Sequence, residues 1–257
     1  MAAQFIGMVH LGPLPGSPGF HGSFEDILTS AARDAAVLTE TGFDAIMIEN
    51  FGDSPFFSDD VPKITVAAMA RAVNEIRSHT HLPLGVNILR NDALAALAVA
   101  ATCGASFIRV NVLSGTMHTD QGTITGRAAE LARLRTIVAP HVEVYADVFV
   151  KHATPPTGIT ITLSAADTYR RGGADALIVS GTVTGAPADL EQFARVRAAV
   201  PEARILAGSG ASAGTIGAIL EHADGAIVGT SIKVDGVTTA PADPVRAAAF
   251  MKAARGA

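Results

Sequence analysis

The chain has 257 residues, a formal net charge of −5 and one cysteine. The negative charge argues against a nucleic-acid-binding surface, because neutralising phosphates takes basic residues, and a single cysteine excludes an intrachain disulfide. No apolar run reaches the roughly 18 residues of a membrane span, and the N-terminal segment lacks the basic start of a signal peptide. These features favour a cytoplasmic protein in which Cys103 is a small buried hydrophobe.

Eight short apolar runs alternate with eight helix-like segments along the chain. Most of the runs are rich in Val and Ile, which is typical of parallel strands covered on both faces. The predicted strands are Phe5–His10, Phe43–Glu49, Leu82–Leu89, Ala105–Val112, His141–Val150, Ala174–Ser180, Arg204–Gly208 and Asp224–Gly229. The predicted helices are Ser23–Thr41, Pro62–His79, Asn91–Thr102, Ile124–Val138, Ser164–Arg171, Pro187–Val200, Ser212–Glu221 and Pro241–Ala254.

The eightfold repetition of strand and helix predicts one α/β domain, a (β/α)8 TIM barrel that spans residues 1–257. Ser23 and Asn91 are expected to cap the helices that they open, and Gly104 is expected to end one in a left-handed conformation. A dinucleotide-binding sheet is the competing fold. The first predicted strand argues against it, because it ends in His10-Leu-Gly-Pro rather than in a G-x-G-x-x-G turn.

Side chains of a barrel strand point alternately to the barrel interior and to the helix layer. In the fifth predicted strand, the apolar set of alternate residues is expected to face the helices and comprises Val144, Ala146, Val148 and Val150. The other set is expected inside and comprises Glu143, Tyr145, Asp147 and Phe149.

Applied to the first five strands, this alternation predicts a polar cluster inside the barrel, near the C-terminal strand ends where barrel active sites lie. Its members are His10, Glu49, Asn87, Arg109, Asn111, Tyr145 and Asp147. Burying so many polar groups is unfavourable unless they are paired or used. The alternative to an active site is a scaffold ion pair of Arg109 with Glu49 or Asp147.

The fifth predicted strand leads into Lys151 and His152. Lys151 could bind a substrate anion, act as a base or form a Schiff base, or it could be a solvated loop lysine. Four residues of strand span about 13 Å, so Asp147 can reach Lys151 only if the chain bends after Val148. We expect Asp147 to pair with Arg109 instead and Lys151 to bind a substrate oxyanion. Glu49 is the preferred acid–base group, with His10 and His152 as the other candidates.

Two glycine-rich turns follow the seventh and eighth predicted strands, where barrels often bind phosphate. They are Gly208-Ser209-Gly210 and Gly229-Thr230-Ser231. Their backbone N–H groups are expected to converge on one anion, although tight turns without a ligand would have the same composition. The sixth loop adds Ser180 and Thr182 beside the site. With these two hydroxyls, the expected substrate-binding set comprises Asn87, Arg109, Asn111, Ser180 and Thr182.

Several stretches spread over the chain resemble the BtpA family, which also contains the SgcQ-type proteins. They are Gly7–Pro18, Glu49-Asn50, Ala146–Ala153, Ser180–Gly185 and Ala223–Lys233. The resemblance implies a barrel fold. It also brings a label of photosystem I biogenesis from cyanobacterial relatives, whereas other members occur in non-photosynthetic bacteria beside genes for sugar or nucleoside uptake. The resemblance therefore does not fix a reaction.

The residues favour an enzyme that acts on a small phosphorylated metabolite, a sugar or nucleoside phosphate, by acid–base or carbonyl chemistry. Aldolase, isomerase and glycosyl-bond lyase reactions all fit. One alternative is a non-catalytic biogenesis or assembly factor. The other is a metal-dependent hydrolase, but the His-x-His of barrel amidohydrolases does not follow the first strand, and a site of His10, Glu49 and His152 would be needed.

No cofactor is predicted. The two glycine-rich turns could also hold a flavin phosphate, so a flavin and a divalent metal both stay open. The expected partner is a small phosphorylated metabolite, with no nucleic acid and no membrane span, and a homo-oligomer is left open.

Overall fold

A computed structural model describes residues 3–181 and 189–256. The strands of the described residues are β1 (Gln4–His10), β2 (Ala45–Glu49), β3 (Leu84–Asn87), β4 (Phe107–Val110), β5 (Thr116–Thr119), β6 (Gly122–Thr125), β7 (Glu143–Val148), β8 (Ala153–Thr154), β9 (Ala176–Val179), β10 (Arg204–Ala207) and β11 (Gly225–Val228). The helices are α1 (Phe24–Glu40), α2 (Lys63–Arg77), α3 (Ala93–Cys103), α4 (Ala128–Val138), α5 (Ile161–Ala166), α6 (Leu190–Ala199), α7 (Ile216–Leu220) and α8 (Pro244–Arg255).

Eight parallel strands close into a barrel in the order β1-β2-β3-β4-β7-β9-β10-β11, and β11 pairs with β1. The eight helices alternate with these strands along the chain. The predicted (β/α)8 fold is therefore confirmed. The remaining strands, β5, β6 and β8, form a small antiparallel sheet outside the barrel.

The predicted alternation of side chains is confirmed along most of β7. Val144, Ala146 and Val148 belong to the apolar layer between strands and helices, and Asp147 lies inside. A second apolar cluster fills the barrel interior below the mouth and comprises Ile6, Met8, Ala45, Met47, Phe107, Tyr145, Ala176, Ile178, Leu206 and Ile227. The polar residues above it therefore rest on an apolar floor.

The end of the fifth barrel strand differs from the prediction. β7 ends at Val148, and Phe149 has a φ of 56°, which turns the chain out of the sheet. Phe149 and Val150 consequently pack against the small sheet, beside Met117 and Ile124, instead of continuing the alternation. The Pro155-Pro156 pair that follows cannot supply ladder hydrogen bonds, which is consistent with an early end of the strand.

The fourth helix was predicted to begin at Ile124, and this was wrong. Residues 116–125 form the hairpin of β5 and β6 instead, and α4 begins at Ala128. Met117 and Ile124 are the buried residues of this hairpin, while its threonines point outward or lie at the edge. Buried apolar residues thus alternate with more exposed residues, which is the period of a strand rather than that of a helix.

The capping predictions were correct for Ser23 and wrong for Asn91. Ser23 accepts a hydrogen bond from the Glu25 N–H at 3.1 Å. The cap of α3 is Asp92, whose carboxylate accepts from Ala95 N–H at 2.9 Å. Asn91 instead exchanges two hydrogen bonds with the backbone of Val112. Gly104 ends α3 with a φ of 68°, as expected.

Cys103 is buried, as predicted. Among the residues that the structure describes, no helix combines the length and apolar character that crossing a membrane would require.

Candidate active site

A cavity of about 720 Å³ opens at the C-terminal ends of the barrel strands. Most of the predicted site residues line it: His10, Glu49, Arg109, Asn111, Lys151, His152, Gly208, Ser209, Gly210, Gly229, Thr230 and Ser231. Asn87, Asp147 and Ser180 are buried behind this wall. Thr182 lies outside the described residues. The alternation of the strands therefore brings residues from distant parts of the sequence to one mouth.

Tyr145 was predicted to belong to this polar cluster, and it does not. Its hydroxyl donates to Glu143 at 2.7 Å, and the guanidinium of Arg204 lies 4.7 Å from its ring centroid. Both partners lie at the N-terminal ends of their strands. Alternation predicts the correct face for Tyr145, which is the barrel interior. Its long side chain, however, extends toward the N-terminal ends of the strands, away from the mouth.

Arg109 and Asp147 form the expected ion pair between β4 and β7. Arg109 Nε and Nη2 donate to the two carboxylate oxygens at 2.9 and 2.8 Å, and both side chains are buried. Asn111 and Ser180 also reach this carboxylate, each at 3.4 Å. Asp147 is thus surrounded by donors, which suits a residue that holds Arg109 in position rather than one that exchanges protons. Burial lowers the pKa of Arg109, but the charge and hydrogen bonds of Asp147 more than offset this and raise it.

Glu49 and His10 end β2 and β1 side by side. His10 Nε2 lies 3.9 Å from Glu49 Oε1, and each side chain is 8% exposed. Burial raises the pKa of Glu49, although the charges of Arg109 and Lys151 oppose this shift. Burial and then the charge of Lys233 lower the pKa of His10 to about 3. His10 is therefore neutral at ordinary pH, and the raised pKa makes Glu49 a stronger base than a free carboxylate.

The early end of β7 brings Lys151 over the cavity. Left-handed conformations at Phe149 and His152, with φ values of 56° and 55°, bracket it. Lys151 Nζ donates to the carbonyl of Gly208 at 3.4 Å, and it forms no direct ion pair with Asp147. Burial and the nearby Arg109 lower the pKa of Lys151 to about 8, against the opposing charges of Asp147 and Glu49. The expectation of a solvated loop lysine is therefore not met.

The loops after β10 and β11 carry the predicted phosphate-binding residues. The Gly208 N–H donates to Val179 at 2.8 Å, so it cannot serve an anion, contrary to the prediction. Gly208 is needed for space instead, because a Cβ atom there would lie 2.4 Å from Ser180 Oγ. A Cβ atom at Gly229 would likewise lie 2.8 Å from His10 Cε1.

The other hydrogen-bonding groups of these two loops differ in whether they are free to bind an anion. Ser209 Oγ accepts from Gly181 N–H at 2.9 Å, and Ser231 Oγ donates to Ala211 at 2.7 Å, so both hydroxyls tie loops together. Among the described residues, no hydrogen bond engages the amide N–H groups of Gly210, Thr230 and Ser231. These three residues line the cavity, and their amides are the candidate donors to an anion.

Arg90 is a site residue that our reading of the sequence missed. It lines the cavity, is 8% exposed and donates from Nη2 to the Lys151 carbonyl. The predicted strand Leu82–Leu89 and the predicted helix Asn91–Thr102 leave Arg90 between them without a role. A charged residue between a buried strand and its helix, at the end of the barrel where active sites lie, was the available signal.

The described residues contain no group of three or more His, Cys, Asp or Glu side chains in an arrangement that could hold a metal ion. His10, Glu49 and His152 accordingly do not form such a group. The metal-dependent hydrolase alternative gains no support from the geometry of these donors.

Comparison with protein families gives a match to the model described as the BtpA family, over residues 1–256. A protein of Methanocaldococcus jannaschii without an assigned function is 48% identical over 231 residues, covering 90% of this chain and 87% of the relative. The photosystem I biogenesis protein BtpA of Synechocystis is 42% identical over 248 residues, covering 96% and 86%. The SgcQ protein of the Escherichia coli sgc region is 32% identical over 250 residues, covering 96% and 92%.

Solved structures similar to this chain are barrel enzymes. A tryptophan synthase structure from Mycobacterium tuberculosis aligns with a TM-score of 0.65 at 19% identity, covering 99% of this chain and 93% of that one. N-(5'-phosphoribosyl)anthranilate isomerase from Pyrococcus furiosus aligns with a TM-score of 0.60 at 12% identity, covering 99% and 100%. At these identities the likeness establishes the fold.

Proposed function

This chain belongs to the BtpA family, and we propose that it is an enzyme acting on a small phosphorylated metabolite, such as a sugar or nucleoside phosphate. The observation that carries the proposal is the pairing of Glu49 and Lys151 on one cavity. Burial raises the pKa of the first and lowers that of the second to about 8. A raised pKa makes Glu49 a stronger base than a free carboxylate, and a lysine with a pKa of about 8 can change its protonation near the working pH.

The phosphate end of the substrate is assigned to the loops after β10 and β11. Amide N–H groups at Gly210, Thr230 and Ser231 line the cavity and engage no described acceptor. Barrel enzymes frequently bind phosphate at these two loops. N-(5'-phosphoribosyl)anthranilate isomerase, a barrel of similar fold, carries a phosphorylated compound in its name, which supports this choice at the level of the fold.

The chemistry that fits is proton transfer next to a carbonyl, as in a lyase, aldolase or isomerase. Glu49 takes a proton from a substrate carbon or hydroxyl and later returns it to the product. The oxygen that gains negative charge in this step is bound by protonated Lys151. Arg109, fixed by Asp147, lines the same cavity and supplies a further cationic group for stabilising the developing charge.

The test is a thermal-shift screen of sugar and nucleoside phosphates, each beside its dephosphorylated counterpart. We expect at least one phosphorylated compound to raise the melting temperature, because a ligand that binds only the folded state stabilises it. Its dephosphorylated counterpart should have little effect. If no phosphorylated compound stabilises the protein, the non-catalytic alternative suggested by the name of the Synechocystis relative becomes the better account. A cytoplasmic location and a homo-oligomer stay predictions.

A further inference from the structure

Arg90 is a buried positive charge that forms no ion pair with a carboxylate of the described residues. It is 8% exposed, and its described hydrogen bond goes to a neutral acceptor, the carbonyl of Lys151. The segment 182–188, Thr-Val-Thr-Gly-Ala-Pro-Ala, contains no acidic residue that could supply a carboxylate. The charges of Asp147, Asp120 and Glu49 act on Arg90 only from beyond ion-pair distance, so no acidic side chain of the described residues pairs with it directly.

Two other buried cations behave differently. Arg109 is held by both oxygens of Asp147, and Lys233 contacts Asp34. A buried charge is unfavourable unless an opposite charge joins it. Because Arg90 lines the main cavity, the simplest source of that opposite charge is an anion that enters the cavity from solvent.

The position of Arg90 in the barrel separates it from the proposed phosphate loops. It follows β3, and β3 stands directly across the ring from β10, four strands away in either direction. Eight tilted strands enclose a ring about 15 Å across. Side chains project inward from both walls, so a molecule of a few bonded carbons can contact both.

We propose that Arg90 binds a second oxyanion of the substrate, at the end opposite to its phosphate. The substrate is then a small metabolite that is anionic at both ends, with a phosphate at one end and a phosphate or carboxylate at the other. The planar guanidinium suits either group, because its N–H donors match two oxygens at once. This inference rests on the proposed function, since the loops after β10 and β11 supply the first anion position.

The experiment compares matched probes by calorimetry in a phosphate-free buffer. The pairs are ribulose 5-phosphate with ribulose 1,5-bisphosphate, and glucitol 6-phosphate with 6-phosphogluconate. In the wild type, we expect the second anion of at least one pair to improve affinity about tenfold or more, as one charge-assisted contact does. The pair that shows the gain identifies the second oxyanion as a phosphate or a carboxylate.

Arg90→Gln should remove that gain and leave the affinity for the monophosphate within about twofold. The matched control is Arg133→Gln, which neutralises an exposed arginine on α4 and should keep the gain. Ligand-free Arg90→Gln should also melt no lower than the wild type, because it removes a buried charge that no described carboxylate pairs with. Arg109→Gln should melt lower, because it leaves Asp147 buried without its partner.

The outcomes separate the two proposals. If the monophosphates bind and the second anion adds nothing, or if its gain survives Arg90→Gln, this inference is overturned while the proposed function stands. If Arg90→Gln unfolds, Arg90→Lys takes its place, because it keeps the positive charge but loses the paired N–H donors; it should reduce the gain, and an unchanged gain would overturn the inference. If neither these probes nor any phosphorylated compound of the screen binds, the proposed function fails and this inference fails with it.

Discussion

At the scale of single residues, the mouth of the barrel combines side chains whose pKa values are shifted in opposite directions. Burial raises the pKa of Glu49 and lowers the pKa of His10 and Lys151, because it disfavours every charged form. His10 is consequently neutral at ordinary pH, and it packs against Phe51 with ring centroids 4.9 Å apart. We therefore assign it a positioning role beside Glu49 rather than proton transfer.

Lys151 gives a prediction with a defined sign in pH. If its cation binds the substrate oxyanion, kcat/KM should fall as the pH rises through about 8, where Lys151 loses its proton. Lys151→Arg keeps the positive charge, because arginine stays protonated, and should remove this fall between pH 7 and 10. The measurement is a pH profile of both proteins. A wild-type rate that increases through pH 8 would instead show that the neutral amine is the active form.

Sequence reasoning at this scale was good for contacts across strands and poor for loops. The Arg109–Asp147 pair followed from alternation on neighbouring strands, and that is what the structure contains. The role of Arg90 did not follow, because no periodic pattern extends beyond the end of a strand. The engaged N–H of Gly208 was also not predicted, since it depends on how far the ladder between β9 and β10 continues past Ala207.

At the scale of elements, the loop after β11 is fixed by a contact far from it in sequence. Lys233 ends this loop and forms a buried ion pair with Asp34 of α1. The other oxygen of Asp34 accepts the Ala242 N–H at 2.7 Å. A loop anchored in this way can keep its amide groups oriented before a ligand arrives, which lowers the cost of binding.

Two substitutions of Thr230 test whether the backbone or the side chain of this loop binds the phosphate. Thr230→Asp adds a negative charge beside the candidate amides and should weaken binding of a phosphorylated ligand at least tenfold by repulsion. Thr230→Val has nearly the same shape and removes only a hydroxyl, which contacts Thr238 at 2.9 Å, so its affinity should stay within about threefold. Calorimetry with a stabilising compound from the screen measures both. Equal binding by wild type and Thr230→Asp would place the phosphate elsewhere.

The hairpin of β5 and β6 marks where element prediction failed. Its eight strand residues lie next to the leucine- and alanine-rich α4, and the helical pattern was extended back into it. The prediction included Ile124 and Thr125, which belong to β6, and Gly126, which lies between β6 and α4. A glycine so near the predicted start was the signal against beginning the helix at Ile124.

At the scale of the whole molecule, the barrel has an apolar interior between two polar ends. The apolar cluster of Met47, Phe107, Leu206 and their neighbours separates the mouth from the Glu143–Arg204 ion pair at the N-terminal strand ends. The mouth therefore lies on a floor of low polarity, in which charges act more strongly than in water. The fold itself was predictable, because buried parallel strands and capped helices repeat eight times.

The central claim is that the mouth performs acid–base chemistry on a phosphorylated substrate. The most direct test is the turnover, by the wild type and by Glu49→Gln, of a compound that stabilises the protein in the screen. The control is Glu143→Gln, the same substitution at the N-terminal end of a barrel strand, opposite to the mouth. We predict that Glu49→Gln lowers kcat by about two orders of magnitude or more, with an unchanged fold, and that the control stays near the wild type. Near-normal turnover in Glu49→Gln would contradict the mechanism and leave the charges of the mouth as scaffold.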